Sequence, residues 1–369
     1  MKSGAIILAA GFSSRMGDFK PLLQLEGKSL LAHCVDSLTE AGVDRVVVVA
    51  GHRGDEVRKE AKKLGVRCVT NVDYEQGMFS SVQVGVEAME GQDAFFVLPV
   101  DIPLIRPATI KTLLNACKSK KVIYPEFAGE KGHPPLIAGE LRNEILRSDG
   151  SGGLAAVLEK SSSLNVKVWD RHILHDADTP EAFADLEKRA ARHDILTPGE
   201  ADILAETAMP PQLEAHCRLV AKLSLALEKG LRQGGARGLD QELLYGSALL
   251  HDICKGQSHH AIEGEKFLDS LGLQRMAAIV RVHGHIEPPE GGLLGEKEIV
   301  CLADKLAHGS SRVALQDRYK EKLHEYKGDK EACHWIRRRL QQAEQMAELW
   351  EKSAGVELEP WLKSEELSL

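Results

Sequence analysis

Ala5-Ile6-Ile7-Leu8-Ala9-Ala10-Gly11-Phe12-Ser13-Ser14-Arg15-Met16-Gly17, with Lys20-Pro21-Leu22-Leu23 close behind, decides how this chain is read. The apolar run Ala5–Leu8 has the length and composition of a first buried strand in an α/β sheet. Small residues follow at once, and Ala, Gly and Ser let backbone N–H groups come close to an anion. Arg15 and Lys20 then add fixed positive charge suited to a polyphosphate. The spacing is neither Gly-x-x-x-x-Gly-Lys-Ser/Thr nor Gly-x-Gly-x-x-Gly. Leu8, Ala9, Ala10, Gly11, Ser13, Ser14, Arg15 and Lys20 are therefore expected to hold a nucleoside triphosphate in a different way.

Outward from that loop, short β-branched runs alternate with amphipathic segments up to about residue 190. Strands are expected at Ala5–Ala9, Arg45–Ala50, Val66–Thr70, Ala94–Val100, Val122–Tyr124 and Asn165–Trp169. Helices such as Ser29–Ala41 and Asp55–Leu64 lie between them, stopped by Gly42 and Gly65. This order predicts an α/β, Rossmann-like, mostly parallel doubly wound sheet, with ligands beyond the carboxyl ends of its strands. Past residue 190 the strand signal ends. Pro198-Gly199 and Pro210-Pro211 punctuate a linker, and the rest reads as all-α, with a long surface helix near 331–352. Two domains are expected, at 1–192 and 193–369, and a length of 369 residues suits that division.

The composition, 43% apolar and 28% charged, is that of a soluble globular protein. Few aromatics and a net charge of −8 argue against a nucleic-acid partner. No apolar run is long enough to span a bilayer, and the first strand feeds straight into its loop with no separable leader. Seven dispersed cysteines without Cys-x-x-Cys fit reduced thiols, so a cytoplasmic protein is expected.

Further segments belong with the opening loop. Asp101 follows the apolar run Ala94–Val100 and would project a hard oxygen ligand for Mg²⁺ into the crevice. A plain turn before Pro103 is the simpler alternative. Ser80 and Ser81 stand at a Gly-rich helix entry, where free N–H groups and hydroxyls can meet a ligand or merely cap the helix. Lys131-Gly132-His133-Pro134-Pro135 would make a rigid wall. In His175-Asp176-Ala177-Asp178-Thr179-Pro180, Asp178 (less so Asp176) could be a second metal ligand, or Asp178 or Thr179 a helix cap.

Together these segments resemble the molybdenum-cofactor nucleotidyltransferases over about residues 3–190. The likeness rests on Leu8 to Lys20, Gly77–Val82, Asp101 and Asp176–Glu181. Leu-Ala-Ala-Gly is similar to the cytidylyl branch rather than the guanylyl one. The resemblance implies transfer of CMP from CTP, or another NTP, to a molybdopterin acceptor, with release of pyrophosphate. Asp101 and Asp178 would hold Mg²⁺, and Arg15 and Lys20 would steady the leaving group. Gly153 stands about where the family tends to have Arg, which bears on the acceptor. Other readings are transfer to a sugar or alditol phosphate, or a non-catalytic maturation factor delivering cofactor to a molybdenum hydroxylase client.

In the second half, His216 shares a helical face with Leu219, Val220 and Leu223, His251-Asp252 follows Ala248-Leu249-Leu250, and Asp304 ends Ile299–Ala303. Each lies at the edge of an apolar stripe, where a metal would offset the cost of burial. The order resembles the HD superfamily of metal-dependent phosphohydrolases over roughly 205–325, with Asp252 central to catalysis. The mixed donor set suits Mn²⁺, Fe²⁺, Zn²⁺ or Ni²⁺. His260 and His283 fall where binuclear members place extra ligands, His259 and His285 being adjacent competitors. Lys255 would contact phosphate or solvent.

Overall fold

Strand β1, Ser3–Ala9, is buried along its whole length because its Ala, Ile and Leu side chains leave both faces apolar. The computed structural model describes residues 1–13, 16–117, 120–285, 287–289 and 291–365. These divide into two compact units, Met1–His193 and Asp194–Leu369.

In the first unit β1 is followed by β2 (Arg45–Ala50), β3 (Arg67–Thr70), β4 (Ala94–Pro99), β5 (Val122–Phe127), β6 (Glu130–Lys131), β7 (Leu136–Ala138) and β8 (Ser163–Lys167). The eight strands form one sheet in the order β8-β5-β7-β4-β1-β2-β3, with β6 paired to β5. β1 pairs in parallel with β2 and β4, matching Ile6 to Val47 and to Val97. The chain therefore runs to one side of β1 first and returns on the other, which creates a switch point beyond the ends of β1 and β4. β7 is antiparallel to both β4 and β5. Its three residues after Pro134-Pro135 are too few to show strand periodicity, so the sequence pattern did not reveal it.

Alternation along β1 sends Ala5, Ile7 and Ala9 to one face and Ile6 and Leu8 to the other. The first face packs on α1 (Leu30–Glu40), α2 (Gly54–Lys63) and α4 (Pro107–Ala116). The second packs on α3 (Met78–Glu87), α5 (Arg142–Arg147) and α6 (Gly153–Leu158). α7 (Pro180–Ala190) closes the unit against Leu25, Leu30 and Leu104.

The second unit contains α8 (Pro198–Ala208), α9 (Pro211–Gln233), α10 (Gln241–Leu250), α11 (His260–Ser270), α12 (Gln274–Val282), α13 (Glu296–Lys305), α14 (Leu315–Glu325), α15 (Lys330–Ala354) and α16 (Leu358–Ser364). A two-residue ladder joining Ala307–His308 to Ser311–Arg312 interrupts the helices. α15 is more than a surface helix. It buries Met346, Ala347 and Trp350, and the Trp350 indole donates to Leu227 O at 2.9 Å. Among the described residues no helix is long and apolar enough to cross a membrane.

Candidate active sites

At the switch point of the first unit a cleft of about 420 Å³ is lined by Leu8–Ser13, Lys20, Gly77, Ser81 and Asp101. Gly77 enters α3 at φ +104°, a backbone region that favours glycine. Gly11 lines the cleft and has open space where a side chain would begin. Lys20 is buried and anchors the geometry: its Nζ lies 3.1 Å from Asp101 Oδ2 and 2.5 Å from Asp178 Oδ1. Burial opposes the ammonium, but the bonds and charges of Asp178 and Asp101 outweigh it and raise its pKa above the ordinary value. Ser13 Oγ accepts the Lys20 N–H at 3.1 Å and so ties the loop to this ion triad.

The local fold explains why Asp178 is available to Lys20. Thr179, in extended conformation, caps α7 by accepting the Ala182 N–H, with Pro180 in the first turn. Asp176 is exposed. Ser81 lines the cleft, whereas the Ser80 hydroxyl donates within its own loop, toward Gly77 O and Asp73 O. Buried Asn71 donates to both serine hydroxyls and fixes this turn. Ser14 and Arg15 lie outside the described residues. Two carboxylates converging on one cation offer hard oxygen donors of the kind Mg²⁺ takes.

The second unit gathers six polar residues from five helices. Asp252, just past α10, divides its carboxylate between two groups. Oδ2 lies 3.4 Å from His251 Nε2 and 3.9 Å from His216 Nε2, and Asp304 Oδ1 is 3.5 Å from His216 Nε2. Oδ1 lies 3.3 Å from His260 Nε2 and 3.5 Å from His283 Nε2. His216, His251 and Asp252, and separately Asp252, His260 and His283, present donor atoms close enough to share one ion each. The imidazoles are oriented from behind: Nδ1 of His216, His251 and His283 bonds Gly309 O, Ala248 O and Val280 O at 2.9, 2.7 and 2.6 Å. That leaves each Nε2 facing the centre, the arrangement expected of metal-ligating histidines. His216 Nε2 and His251 Nε2 are buried with no hydrogen-bond partner among the described residues, an expensive condition that a cation would relieve.

Charges within the cluster act strongly on one another: burial would lower the pKa of His251, but Cys217, Asp252 and Asp304 raise it well above the ordinary value. Burial would push the Asp252 carboxyl up, but His251, His283 and Lys255 outweigh it and hold it well below the usual range. The Asp304 carboxyl is likewise held low against burial, by Lys305, His216 and His251. Burial lowers the pKa of the more open His260 and favours its neutral, ligand-ready form.

The model of the MobA-like NTP transferase domain matches residues 5–166, and that of the HD domain matches residues 213–309. The chain joins a MobA-like NTP transferase domain to an HD domain. It is 26% identical over 185 residues to the molybdenum cofactor cytidylyltransferase of Escherichia coli, covering 50% of this chain and 95% of that protein. It is also 28% identical over 176 residues to the bifunctional protein GlmU of Staphylococcus saprophyticus, covering 45% of this chain and only 36% of that one. A solved nucleotidyl transferase from Methanothermobacter thermautotroptrophicus aligns with 52% of this chain and 98% of its own, at 24% identity and a TM-score of 0.47.

Within the transferase domain, Asn71 and the cleft-facing rings of Phe12 and Tyr74, 5.3 Å apart, escaped sequence reasoning. An Asn after a short strand and two isolated aromatics carry no distinctive spacing. Gly153, where the resemblance calls for Arg, has φ +66°, a conformation an arginine would adopt only with strain. Within the HD domain, His259 is exposed at φ +56°, and His285 is exposed beside Glu287, so neither joins the cluster. Lys255 bonds Asp252 Oδ2.

Proposed function

We propose that the transferase domain moves CMP from CTP to the phosphate of a molybdopterin-type acceptor, and that the HD domain hydrolyses a phosphate compound. The Lys20–Asp101–Asp178 triad at the switch-point cleft carries the first reading. Leu8-Ala9-Ala10-Gly11 and the cytidylyltransferase relative support CTP as the nucleotide. Asp101 and Asp178 would hold Mg²⁺, which supplies charge neutralisation along the triphosphate. The loop from Leu8 to Ser13 would bring backbone N–H groups to the phosphates. The acceptor oxygen attacks the α-phosphorus and pyrophosphate departs, while Lys20 neutralises the charge growing on it. Seven dispersed cysteines without Cys-x-x-Cys accord with a cytoplasmic setting.

Pyrophosphate release tests this reading directly. With Mg²⁺ and molybdopterin, CTP should support turnover well above GTP, and Lys20→Met should lower kcat by about 10²–10³-fold. Release only with sugar or alditol phosphates, or with no acceptor tried, would overturn it.

The unpartnered Nε2 atoms carry the second reading. His216, His251, Asp252 and Asp304 would hold one divalent transition ion, Mn, Fe, Zn or Ni, and Asp252, His260 and His283 a second. Such ions polarise a phosphoryl oxygen and acidify water. Elemental analysis of the purified chain with p-nitrophenyl phosphate as substrate tests it; absence of both metal and hydrolysis would refute it.

A further inference from the structure

Beside the HD cluster a pocket of about 210 Å³ reaches from Asp252, His260 and His283 to side chains of α14 and α15. Those two helices lie beyond the stretch matched by the HD model. Five cations face the pocket: Lys255, Lys305, Arg318, Lys322 and Arg339. Three have local partners. Lys255 bonds Asp252, Lys305 Nζ is 2.8 Å from Asp304 Oδ2, and Arg318 bonds the carbonyls of Asp304 and Ala307. Lys322 and Arg339 meet no carboxylate within salt-bridge distance among the described residues. Burial, Arg318 and Lys305 lower the pKa of the Lys322 ammonium against the opposing attraction of Asp304.

Lys322 and Arg339 are exposed side chains on the wall of this pocket, and the positive charge they add beyond the metal ligands favours an anion beyond the one at the cluster. A phosphate monoester supplies only the first. We propose that the HD site takes a substrate carrying two phosphoryl groups joined by an anhydride, one at the Asp252 cluster and the other held by Lys322 and Arg339. This rests on the phosphohydrolase reading and narrows its substrate class. The shared chemistry has two sources: free pyrophosphate, which nucleotidyl transfer releases, or the end of an organic diphosphate. In the step, water oxygen bonds to the phosphorus at the cluster and the bond from that phosphorus to the bridging oxygen breaks. The bridging oxygen keeps the electron pair and takes the proton lost by water. Pyrophosphate and water give two phosphates, and a diphosphate and water give a monophosphate and phosphate. Lys322 and Arg339 are positioning residues for the leaving phosphate.

The metal-loaded full-length chain should be offered inorganic pyrophosphate, a nucleoside diphosphate and p-nitrophenyl phosphate in parallel. One of the first two should be cleaved with the higher kcat/KM, which also tells the sources apart. Lys322→Met and Arg339→Met should each raise KM for it about tenfold or more, and raise KM for p-nitrophenyl phosphate by a clearly smaller factor. Calorimetric titration with methylenediphosphonate, which cannot be hydrolysed, should show the same weakening and reads the second anion site without turnover. If the monoester is cleaved best and neither variant matters, the anhydride proposal falls while the hydrolase reading stands. If nothing is hydrolysed, the hydrolase reading falls and the anhydride proposal with it. If methylenediphosphonate binds wild type and variants alike, Lys322 and Arg339 do not hold a phosphoryl group.

Discussion

Thr179 accepts the Ala182 N–H, and this one hydrogen bond leaves the Asp178 carboxylate for Lys20. In the HD domain, three ring Nδ1 atoms bonded to carbonyls decide which lone pairs face the centre. Such choices between neighbouring side chains depend on where a distant cation or carbonyl lies, so Asp178 and Thr179 looked equivalent as caps in the sequence. His172 shows the opposite case, a titratable group held neutral. Burial, with Arg106, His193, His175 and Arg171 adding repulsion, keeps its pKa well below 6.5. Once unfolded, the imidazole would take up a proton near pH 6.5; folded, it does not. The unfolded state thus binds more protons as pH falls below 6.5, and stability declines until the folded pKa is reached. Thermal melts at pH 7.5 and 5.5 should show a larger acid loss for wild type than for His172→Leu.

At the scale of elements, the HD cluster uses one local device twice. His251 and His283 each cap the C-terminus of a helix, α10 and α12, and each ring bonds the carbonyl three residues back. His283 was named from the resemblance to binuclear HD proteins alone, whereas the apolar run before His251 was visible in the sequence. The same holds for Asp101 after β4 and the small-residue loop after β1, since a strand followed at once by polar or small residues marks a crevice edge. Strand β7 and the buried face of α15 were not legible, because three residues show no period and Trp350 is buried against α9 and Trp361, contacts that local spacing does not record. Close approach of α3 to β1 depends on Gly85, where an added Cβ would stand 2.3 Å from Ile6 Cγ2. Gly85→Ala should cost about 1–3 kcal/mol in chemical denaturation and weaken nucleotide binding by shifting the helix that carries Ser81.

Across the whole molecule, the transferase and HD sites share no residue, and each draws its donors from a single compact unit. Asp101→Asn should reduce nucleotidyl transfer about 10²-fold or more yet leave metal content and phosphate hydrolysis within about twofold. Asp252→Asn should do the reverse, losing metal at both overlapping groups because its carboxylate serves each of them. Assaying both activities in each full-length variant checks this; loss of both from either substitution would refute it.

The amino-acid sequence by itself determined the strand–helix alternation, the small-residue loop, and the order His216, His251-Asp252, Asp304, because these are periodic or contiguous patterns. It could not determine that Lys20 bridges Asp101 and Asp178, 81 and 158 residues away. Nor could it bring Lys322 and Arg339 to the HD cluster, or turn one oxygen of Asp252 to each pair of histidines. Those relations are made by packing between distant elements, where burial and charge choose the partner and local spacing carries no record of it.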